Sequence, residues 1–407
     1  MGRRLAEITI KKVIVFEFYV RRIRKMIKQS RLRFFAISIV VAIMILMSAA
    51  WNMNSFAVDG AGGKTTTDII DVKSPLQNAT IKIDSDQVEE FFKNDVGSAV
   101  KFYGKGEQLP SKPIKLEWAT KTGRYYEVYV ADNPLFKNAE KYVCLDGNLE
   151  LKELIPETEY FWKVKVIDDE GNKTFSKIYT FNTEGSVRAF AIDGVSNVRD
   201  IGGKETADGR RIKYGMIYRS GEGEKITEKG KTIIKKLGIK VDFDLRGASA
   251  AKNGSPFGET LKVLTFNGAY YAASGYETGI DGSKEYKNAF RDELKACADS
   301  GNYPMIIHCS LGRDRTGTLA FILEALCGVE KEALVRDHML SFLSEKGSVG
   351  SGNQFEVILS NINALYNYID RFEGETFAEK TATVVKKLGV TDREIDSIRK
   401  ILLGQEV

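Results

Sequence analysis

The chain has 407 residues, 43% of them hydrophobic, which is enough for two globular domains and excludes a wholly disordered protein. Eleven of the 60 Lys and Arg residues lie in the first 33 positions, so the rest of the chain is mildly acidic and lacks the basic face that nucleic-acid binding requires. Two histidines and four cysteines without a C-x-x-C pair argue against a zinc site, and a core of this size does not need a Cys297–Cys327 disulfide.

The N-terminal segment has the charge order of an export signal. A basic cluster from Arg21 to Arg33 precedes an uncharged run from Phe34 to Val58. The strongly apolar part of this run ends at Trp51 and is about 18 residues long, near the lower limit for a helix that spans a bilayer. Residues 1–57 are therefore predicted to be a signal peptide or a membrane anchor.

The sequence leaves the fate of this segment open. Ser55 and Ala57 are small residues at the two positions that a signal peptidase reads, which favours cleavage after Ala57, whereas a retained helix would bind the chain to the membrane. Met26 is an alternative start that gives a shorter basic region. Because basic residues stay on the cytoplasmic side, both outcomes place the residues after 58 outside the cytoplasm, either secreted or anchored to the cell membrane.

A linker and a β region follow. Residues 58–74 are rich in Gly, Thr and Asp, which is typical of a solvated spacer. Residues 75–185 contain short alternating apolar stretches separated by turn residues, and this pattern predicts an antiparallel β-sandwich. The clearest predicted strands are Ile114–Trp118, Tyr125–Val130, Tyr160–Ile167 and Ile178–Phe181.

This β region resembles a fibronectin type III domain. Trp118 lies on an early strand, and the segment from Leu154 to Tyr160 reads L-x-P-x-T-x-Y, like the tyrosine corner of that family. The resemblance implies a β-sandwich in which the Tyr160 hydroxyl bonds back to the main chain. Such modules space or dock a catalytic domain, so both a cell-surface partner and a simple spacer are compatible with it.

Residues 186–407 alternate strand-like and helical patterns, which predicts an α/β domain. The predicted elements are helix Thr227–Leu237 closed by Gly238, strand Lys240–Leu245, strand Met305–Ile307, a helix that starts near Asp314 and runs through Leu326 to Gly328, and a last helix from Thr391 to Leu403 with Glu394 in its capping box. The predicted fold class is therefore multidomain, with a signal or transmembrane segment, a β-sandwich and an α/β domain.

Between the second strand and the following helix lies His308-Cys309-Ser310-Leu311-Gly312-Arg313-Asp314-Arg315-Thr316-Gly317. Five residues between Cys and Arg let the backbone form a cup whose N–H groups and helix N-terminus converge, a geometry that binds a phosphate dianion. The same positive environment favours the thiolate form of Cys309, the predicted nucleophile. Residues 310–315 are the predicted phosphate-binding residues, and the predicted intermediate is a cysteinyl-phosphate that water hydrolyses.

Arg315 and Thr316 complete the predicted catalytic group. The planar guanidinium of Arg315 can hold two phosphoryl oxygens. The Thr316 hydroxyl can hydrogen-bond the thiolate when it leaves in the second step. Gly312 and Gly317 permit a tight turn and a close helix approach.

The leaving oxygen needs a proton, and three aspartates are candidate general acids. Asp314, beside Arg315 at the rim of the cup, is favoured, while Asp244 and Asp200 lie at other strand ends. His308 is predicted to orient the loop from beneath. His338 is predicted to be a surface or helix residue without chemistry.

The segment 186–407 resembles the bacterial secreted tyrosine-protein phosphatases, whose loop reads H-C-x-A-G-K-D-R-T-G. Matching motifs occur in order at Asn197–Gly203, Tyr218–Gly221 and Asp244–Arg246. The resemblance implies dephosphorylation of phosphotyrosine, often also of phosphoserine, phosphothreonine and phosphoinositides, without metal or cofactor and with Asp314 as the acid.

Two positions depart from that loop, Leu311 for Ala and Arg313 for Lys. Arg313 keeps the extra positive charge that the family associates with phosphoinositide use, whereas Leu311 would narrow the pocket. The supporting residues of the matched motifs have two possible roles: they form ion pairs that brace the loop, or they contact the substrate. They are Arg199, Asp200, Arg219, Asp244 and Arg246.

Three functions are therefore compatible with the sequence. The first is a protein-tyrosine phosphatase acting on a phosphorylated protein. The second is a phosphoinositide or inositol-phosphate phosphatase, which a competition between the two substrate classes would distinguish. The third is a non-catalytic surface adhesion or scaffold protein whose phosphatase fold is inert.

Overall fold

The computed structural model describes residues 70–119, 125–250, 254–272, 277–350 and 353–404. The predicted signal peptide or anchor and most of the linker lie outside these residues. No helix in the described ranges is both long and apolar enough to cross a membrane. Residues 66–407 form one unit by their internal contacts.

The β region folds as two sheets. Its strands are β1 (Val72–Ser74), β2 (Ala79–Lys82), β3 (Ile114–Trp118), β4 (Tyr125–Ala131), β5 (Glu140–Cys144), β6 (Asn148–Leu151), β7 (Glu159–Ile167), β8 (Lys173–Phe175) and β9 (Tyr179–Glu184). One sheet has the order β1-β3-β6, and the other has the order β2-β9-β7-β4-β5 with β8 paired to β7. All pairings are antiparallel except that of β2 with β9.

The period-2 pattern predicted four of these strands, β3, β4, β7 and β9, because alternate side chains fill the core between the sheets. Along β7, Trp162, Val164 and Val166 are buried and their neighbours are partly exposed. Trp118 packs edge-on against Tyr126 at 5.4 Å between ring centres. The Tyr160 hydroxyl accepts a hydrogen bond from the Ile155 N–H at 2.9 Å, as expected of a tyrosine corner.

A helical insert interrupts the β region between β2 and β3, where only strands were expected. It contains helix α1 (Asp86–Lys93) and a 3₁₀ turn from Val96 to Phe102. Ser85 caps α1 by accepting from the Val88 N–H at 3.2 Å, and acidic residues occupy the first turn. Val88 and Phe91 are buried, at helical rather than strand spacing.

The α/β region is built on one five-stranded sheet. Its strands are β10 (Arg199–Asp200), β11 (Ile217–Ser220), β12 (Val241–Asp244), β13 (Lys262–Thr265) and β14 (Met305–His308). Their order is β10-β11-β14-β12-β13, and all pairs are parallel except β10 with β11. The central strands are fully buried, as their continuous apolar character requires.

Helices cover both faces of this sheet. They are α2 (Glu228–Lys236), α3 (Lys284–Cys297), α4 (Asp314–Leu326), α5 (Lys331–Met339), α6 (Gln354–Asp370), α7 (Phe377–Leu388) and α8 (Asp392–Leu402). A small core that includes Ile234 of α2 lies on one face, and a large core with α3 to α8 lies on the other. The predicted helices α2, α4 and α8 are confirmed, including the α8 capping box between Thr391 and Glu394. All four cysteines are free thiols, so the Cys297–Cys327 disulfide is not formed.

Candidate active site

The central strand leads directly into the candidate nucleophile. β14 lies between β11 and β12, and Cys309 follows its last residue. Helix α4 begins at Asp314, so the loop of residues 309–313 joins the carboxyl end of a parallel strand to a helix N-terminus. This edge of an open α/β sheet is where ligands bind. Cys309 has 2% exposure, which makes its thiol a recessed group.

Two glycines make the loop geometrically possible. Gly312 has φ of +69°, and a Cβ on it would lie 2.4 Å from the carbonyl carbon and oxygen of Ser220. A Cβ on Gly317 would lie 2.4 Å from the His338 ring, so α4 can approach α5 only with glycine here. The expected tight turn and close helix approach are therefore both present.

The loop offers backbone donors to an anion. The N–H groups of Ser310, Leu311, Gly312 and Arg313 donate no hydrogen bond to another described residue. They lie beside the N-terminus of α4, whose first amides also lack intrahelical acceptors. Free donors combined with the positive end of the helix dipole favour a bound phosphate group.

Arg315 projects from the first turn of α4 and is held by two contacts. Its Nη1 donates to the Leu245 carbonyl at 3.1 Å, and its Nη2 donates to Ser310 Oγ at 3.4 Å. The guanidinium carbon lies 5.2 Å from the ring centre of Tyr270. These contacts hold the planar group beside the loop, as bidentate phosphate binding requires.

Thr316, the predicted partner of the thiolate, is fully buried in the same turn. Its hydroxyl makes no hydrogen bond with the residues that the structure describes. The expected bond to Cys309 is therefore not formed here, and the role of Thr316 stays a prediction.

Asp314, the favoured general acid, is oriented by two donors. Its Oδ1 accepts from the Tyr271 hydroxyl at 2.8 Å and from Arg313 Nε at 3.0 Å. The side chain of Asp314 keeps 15% exposure, so its carboxyl is in contact with solvent while its orientation is fixed. That combination suits a group that gives a proton to a bound substrate.

His338 was predicted to be a surface or helix residue, and it lies on a helix but is buried and not on the surface. It lies on α5 with 1% exposure, and its Nε2 is 3.0 Å from the Tyr271 hydroxyl. Burial, reinforced by Arg219, lowers the pKa of His338 to about 3, so its ring is neutral at pH 7. Because the Tyr271 hydroxyl donates to Asp314, Nε2 is the protonated nitrogen in this arrangement. His338, Tyr271 and Asp314 form a line of hydrogen bonds behind the loop.

The Arg313 side chain turns away from the loop. Its Nη1 donates to the carbonyls of Gly347 and Val349 at 2.8 and 2.9 Å, and its guanidinium carbon lies 5.7 Å from the Phe342 ring centre. Arg313 itself has 4% exposure. Its predicted contribution to phosphate binding is therefore limited to the backbone N–H.

Asp200, one alternative general acid, is bonded on both carboxylate oxygens. Its carboxylate accepts from the N–H groups of Gly202 at 2.9 Å and Gly215 at 2.7 Å, and it pairs with Arg188 at 3.3 Å. Burial raises the pKa of Asp200, but the three partners hold both oxygens in place. Asp200 therefore stabilises the turn after β10 and is not positioned to protonate a leaving group.

Asp244, the other alternative, is bound in a bidentate pair with Arg246. Its two oxygens accept from Arg246 Nε and Nη2, each at 2.9 Å. Burial alone would raise the pKa of Asp244, but the bonds from Arg246 outweigh it and the pKa is lowered. Asp314 is paired with Arg313 through both of its oxygens as well, so the ion pair alone does not separate the two aspartates.

His308 is the last residue of β14 and directly precedes Cys309. Its Nε2 is 2.8 Å from Asp242 Oδ1 and 3.8 Å from Asp244 Oδ1, and the ring of Phe257 meets it edge-on at 5.1 Å. His308 is fully buried and therefore not exposed to a substrate, and its role in orienting the loop stays a prediction.

A profile of the tyrosine phosphatase family matches residues 190–404, just over half of the chain. The chain belongs to the tyrosine phosphatase family. The match covers the whole α/β sheet, the Cys309 loop and the helices around them.

Two relatives resemble this family member over parts of their length. A candidate tyrosine-protein phosphatase of Cupriavidus necator is 27% identical over 171 residues, which are 37% of this chain and 62% of the relative. An inositol diphosphatase of Oryza sativa subsp. japonica is 39% identical over 56 residues, 12% of this chain and 25% of the relative. The chain thus spans less than two thirds of the length of either relative.

Among solved structures, the first to third fibronectin domains of chicken CNTN1 match with 14% identity over 39% of this chain and 46% of that chain. The TM-score of 0.17 is too low to support a shared fold. The fibronectin type III resemblance of the β region stays a prediction.

In this tyrosine phosphatase family member, a buried ion network supports the loop from the sheet side. Arg219 donates from Nη2 to the Gly312 carbonyl at 2.9 Å and pairs through Nη1 with Asp337 of α5. Asp337 also pairs with Arg199 at 3.4 Å and Lys204 at 3.0 Å. Burial alone would raise the pKa of Asp337, but the three cations lower it well below its usual value. Both arginines have 0% exposure, which fits bracing and leaves no surface for substrate contact.

Sequence reasoning missed Tyr271 and Asp337, which lie far from the loop along the chain and carry no local motif. Tyr271 has φ of +47°, an uncommon conformation for a bulky residue and one that clusters at functional sites. No sequence pattern reports that angle. The isolated acidic Asp337 on the apolar face of α5, beside one of only two histidines, was the available signal.

The described residues contain no group of three or more His, Cys, Asp or Glu side chains arranged to hold a metal ion. The prediction of a reaction without metal or cofactor is unaffected by this finding and stays a prediction.

Proposed function

We propose that the chain hydrolyses phosphate monoesters through a cysteinyl-phosphate, with phosphotyrosine in proteins as its substrate. The observation that carries the proposal is the recessed Cys309 in a loop of free N–H donors, with Arg315 and Asp314 in the first turn of α4. Membership of the tyrosine phosphatase family supports the same chemistry.

In the first step the Cys309 thiolate attacks phosphorus, an S–P bond forms and the P–O bond to the leaving group breaks. Asp314 transfers its proton to the leaving oxygen, which departs as a neutral phenol or alcohol. The loop N–H groups and Arg315 stabilise the charge on the phosphoryl oxygens.

In the second step a water attacks phosphorus and the S–P bond breaks. The Asp314 carboxylate takes a proton from that water, inorganic phosphate leaves and the thiolate is restored. The tyrosine phosphatase loop therefore needs no external reactant other than water.

Two features near the loop support phosphotyrosine over a phosphoinositide. The half-buried ring of Tyr270 stands beside Arg315 and offers an aromatic face next to the expected phosphate position. The basic side chains that could bind a second phosphate already have partners: Arg313 bonds to carbonyls, Arg246 to Asp244, and Lys346 to Glu222 at 3.3 Å. The match to a plant inositol diphosphatase keeps inositol phosphates as the competing substrate.

The test is phosphate release from p-nitrophenyl phosphate and a phosphotyrosine peptide by the reduced full-length chain in EDTA, compared with Cys309→Ser. We expect metal-independent turnover that the substitution abolishes. Cys327→Ser, at a buried thiol distant from the loop in sequence, is the matched control and should retain turnover.

The outcomes separate the candidate functions. Inositol phosphates that outcompete the peptide would replace the protein substrate with the phosphoinositide class. Equal turnover in Cys309→Ser would contradict the thiolate mechanism. No turnover from folded, reduced protein would leave the inert scaffold, with a role for the β region in binding a partner.

The proposal places this reaction outside the cytoplasm, because the charge order of residues 1–57 predicts export or anchoring. Protease treatment of intact cells that express the full chain tests this location. Degradation of residues after 58 is expected, and full protection would contradict it.

A further inference from the structure

The helical insert between β2 and β3 belongs structurally to the catalytic core. Its buried apolar side chains join the large α/β core and not the core of the β region. They are Val88, Phe91, Ala99, Phe102 and Leu109. The chain therefore leaves the β region after Lys82, packs onto the catalytic domain and returns at Ile114.

The insert contacts α5 and the segment of residues 340–350. Arg336 of α5 donates from Nη1 to the Phe91 carbonyl at 3.1 Å. The Gln108 N–H donates to the Leu343 carbonyl at 2.7 Å, and the Tyr103 hydroxyl donates to the Gly350 carbonyl. These bonds fix the insert along the segment that follows α5.

Glu107, at the end of the insert, joins two separate segments with one carboxylate. Its Oε2 accepts from the Ser196 hydroxyl, from the Asn197 N–H at 3.2 Å and from the Glu345 N–H at 3.2 Å. Ser196 in turn accepts from the Lys346 N–H at 2.9 Å. The two segments have no connection along the chain near this point, so the Glu107 carboxylate and the bond between Ser196 and Lys346 together hold their relative position.

Both segments are connected to the catalytic loop by hydrogen bonds. Asn197 donates from Nδ2 to the Leu311 carbonyl at 3.0 Å, and the Ser196 carbonyl accepts from the Gly221 N–H at 2.9 Å. On the other side, the carbonyls of residues 347 and 349 hold Arg313, whose Nε donates to Asp314 at 3.0 Å. One segment thus contacts the phosphate-binding backbone, and the other reaches the general acid only through Arg313.

We propose that Glu107 is a positioning residue for the catalytic loop, so that an insert carried by the β region sets the geometry of Cys309 and Asp314. The proposal rests on the phosphatase function proposed above. It assigns no bond-making step to Glu107, which touches neither the phosphate nor the reacting atoms.

A residue that positions catalytic groups affects the kinetic constants differently from a residue that only stabilises the fold. Phosphate binding relies on many donors, whereas proton transfer and attack need Asp314 and Cys309 in register with the substrate. Loss of the Glu107 bonds should therefore lower kcat more than it raises KM.

The experiment compares three variants of the full chain. Glu107→Ala removes all three bonds, Glu107→Gln keeps a carbonyl oxygen that can accept them, and Glu90→Ala is a control in the same insert. The Glu90 side chain is 48% exposed and pairs with Lys101 at 3.2 Å. With phenyl phosphate, whose leaving group needs the proton of Asp314, we expect kcat to fall about 10- to 100-fold in Glu107→Ala. Glu107→Gln should recover most of the activity, and Glu90→Ala should equal the parent.

Hydrogen–deuterium exchange of residues 308–317 provides a readout that needs no turnover. Exchange should be faster in Glu107→Ala than in Glu90→Ala at equal melting temperature. An inactive parent would overturn the proposed function while leaving this readout valid. Parent-like kcat together with unchanged loop exchange in Glu107→Ala would overturn the positioning role.

Discussion

At the scale of single residues, the orientation of Asp314 depends on a tyrosine that no motif identifies. The Tyr271 hydroxyl connects Asp314 to the neutral ring of His338, and Arg313 supplies the second donor to the carboxyl. A general acid matters most when the leaving group is a strong base. The consequence of losing Tyr271 should therefore depend on the substrate.

We expect Tyr271→Phe to reduce kcat/KM for phenyl phosphate by about tenfold, because one hydrogen bond to a charged group is worth about 1.5–3 kcal/mol. The loss should be much smaller for p-nitrophenyl phosphate, whose leaving group needs little protonation. Steady-state kinetics with both substrates measure the ratio. Tyr303→Phe, at another buried tyrosine whose hydroxyl bonds the Cys297 carbonyl at 2.6 Å, should leave that ratio unchanged. Equal losses for both substrates in Tyr271→Phe would show that Asp314 is not positioned through this hydroxyl.

At this scale the sequence identifies the candidate catalytic residues because one short segment contains them. Cys309, Asp314 and Arg315 lie within seven consecutive positions, so a single strand–loop–helix brings them together. Tyr271 and Asp337 reach the same region only through tertiary packing, which local periodicity does not encode. The side-chain direction of Arg313 depends on the carbonyls of residues 347 and 349 and was equally inaccessible.

At the scale of elements, the close approach of α4 and α5 makes the stability of the folded chain depend on pH. Gly317 lets α5 bring the His338 ring against α4, and burial there lowers the pKa of His338 to about 3. In the unfolded chain the same group has a pKa of about 6.5. Below pH 6.5 the unfolded chain therefore binds a proton that the folded chain excludes, and stability falls as pH falls toward 3.

Between pH 7 and pH 5 this linkage should remove about 2 kcal/mol from the free energy of unfolding, at 1.36 kcal/mol per pH unit below 6.5. Urea denaturation at both pH values measures it. In His338→Asn the decrease should be smaller by about that amount. Burial also raises the pKa of Glu324 to about 8, which makes stability fall as pH rises from about 4.5 to 8 in both proteins and cancels in the comparison. The same pH dependence in both proteins would rule out His338 as the source.

Individual helices and strands were predicted from the sequence where the hydrophobic pattern is regular. Strands β3, β4, β7 and β9 and helices α2, α4 and α8 followed from period and capping residues. Helix α1 was missed because eight residues lie inside a region of alternating strands, although Ser85 followed by acidic residues and apolar positions 88 and 91 is a helix-start signal. The sequence also could not show that α1 packs in the catalytic core. The pattern identifies an apolar face, but tertiary contacts decide which core that face joins.

At the scale of the whole molecule, the catalytic core is assembled from two stretches of chain. We expect residues 186–407 alone to lack the cooperative thermal transition of residues 70–407, because removal of the insert exposes the surface that Phe91 and Phe102 cover. Circular dichroism during heating measures this. A cooperative transition for the shorter chain at the melting temperature of the longer one would show the insert to be dispensable.

A substitution tests the same dependence without shortening the chain. Phe91→Ala should reduce the free energy of unfolding by about 3–5 kcal/mol. Phe175→Ala, at a phenylalanine of the β region that is 51% exposed, is the matched control and should change it by less than about 0.5 kcal/mol.

The path of the chain through the insert also constrains how such a gene can recombine. The backbone passes from the β region into the catalytic core and back again before it enters the core a second time. No single crossover point divides the coding sequence into two self-sufficient parts, since an exchange at residue 185 would separate Glu107 from the loops it joins. The β region and the catalytic domain should therefore be inherited as a pair, and any replacement β region would have to bring a compatible insert with it.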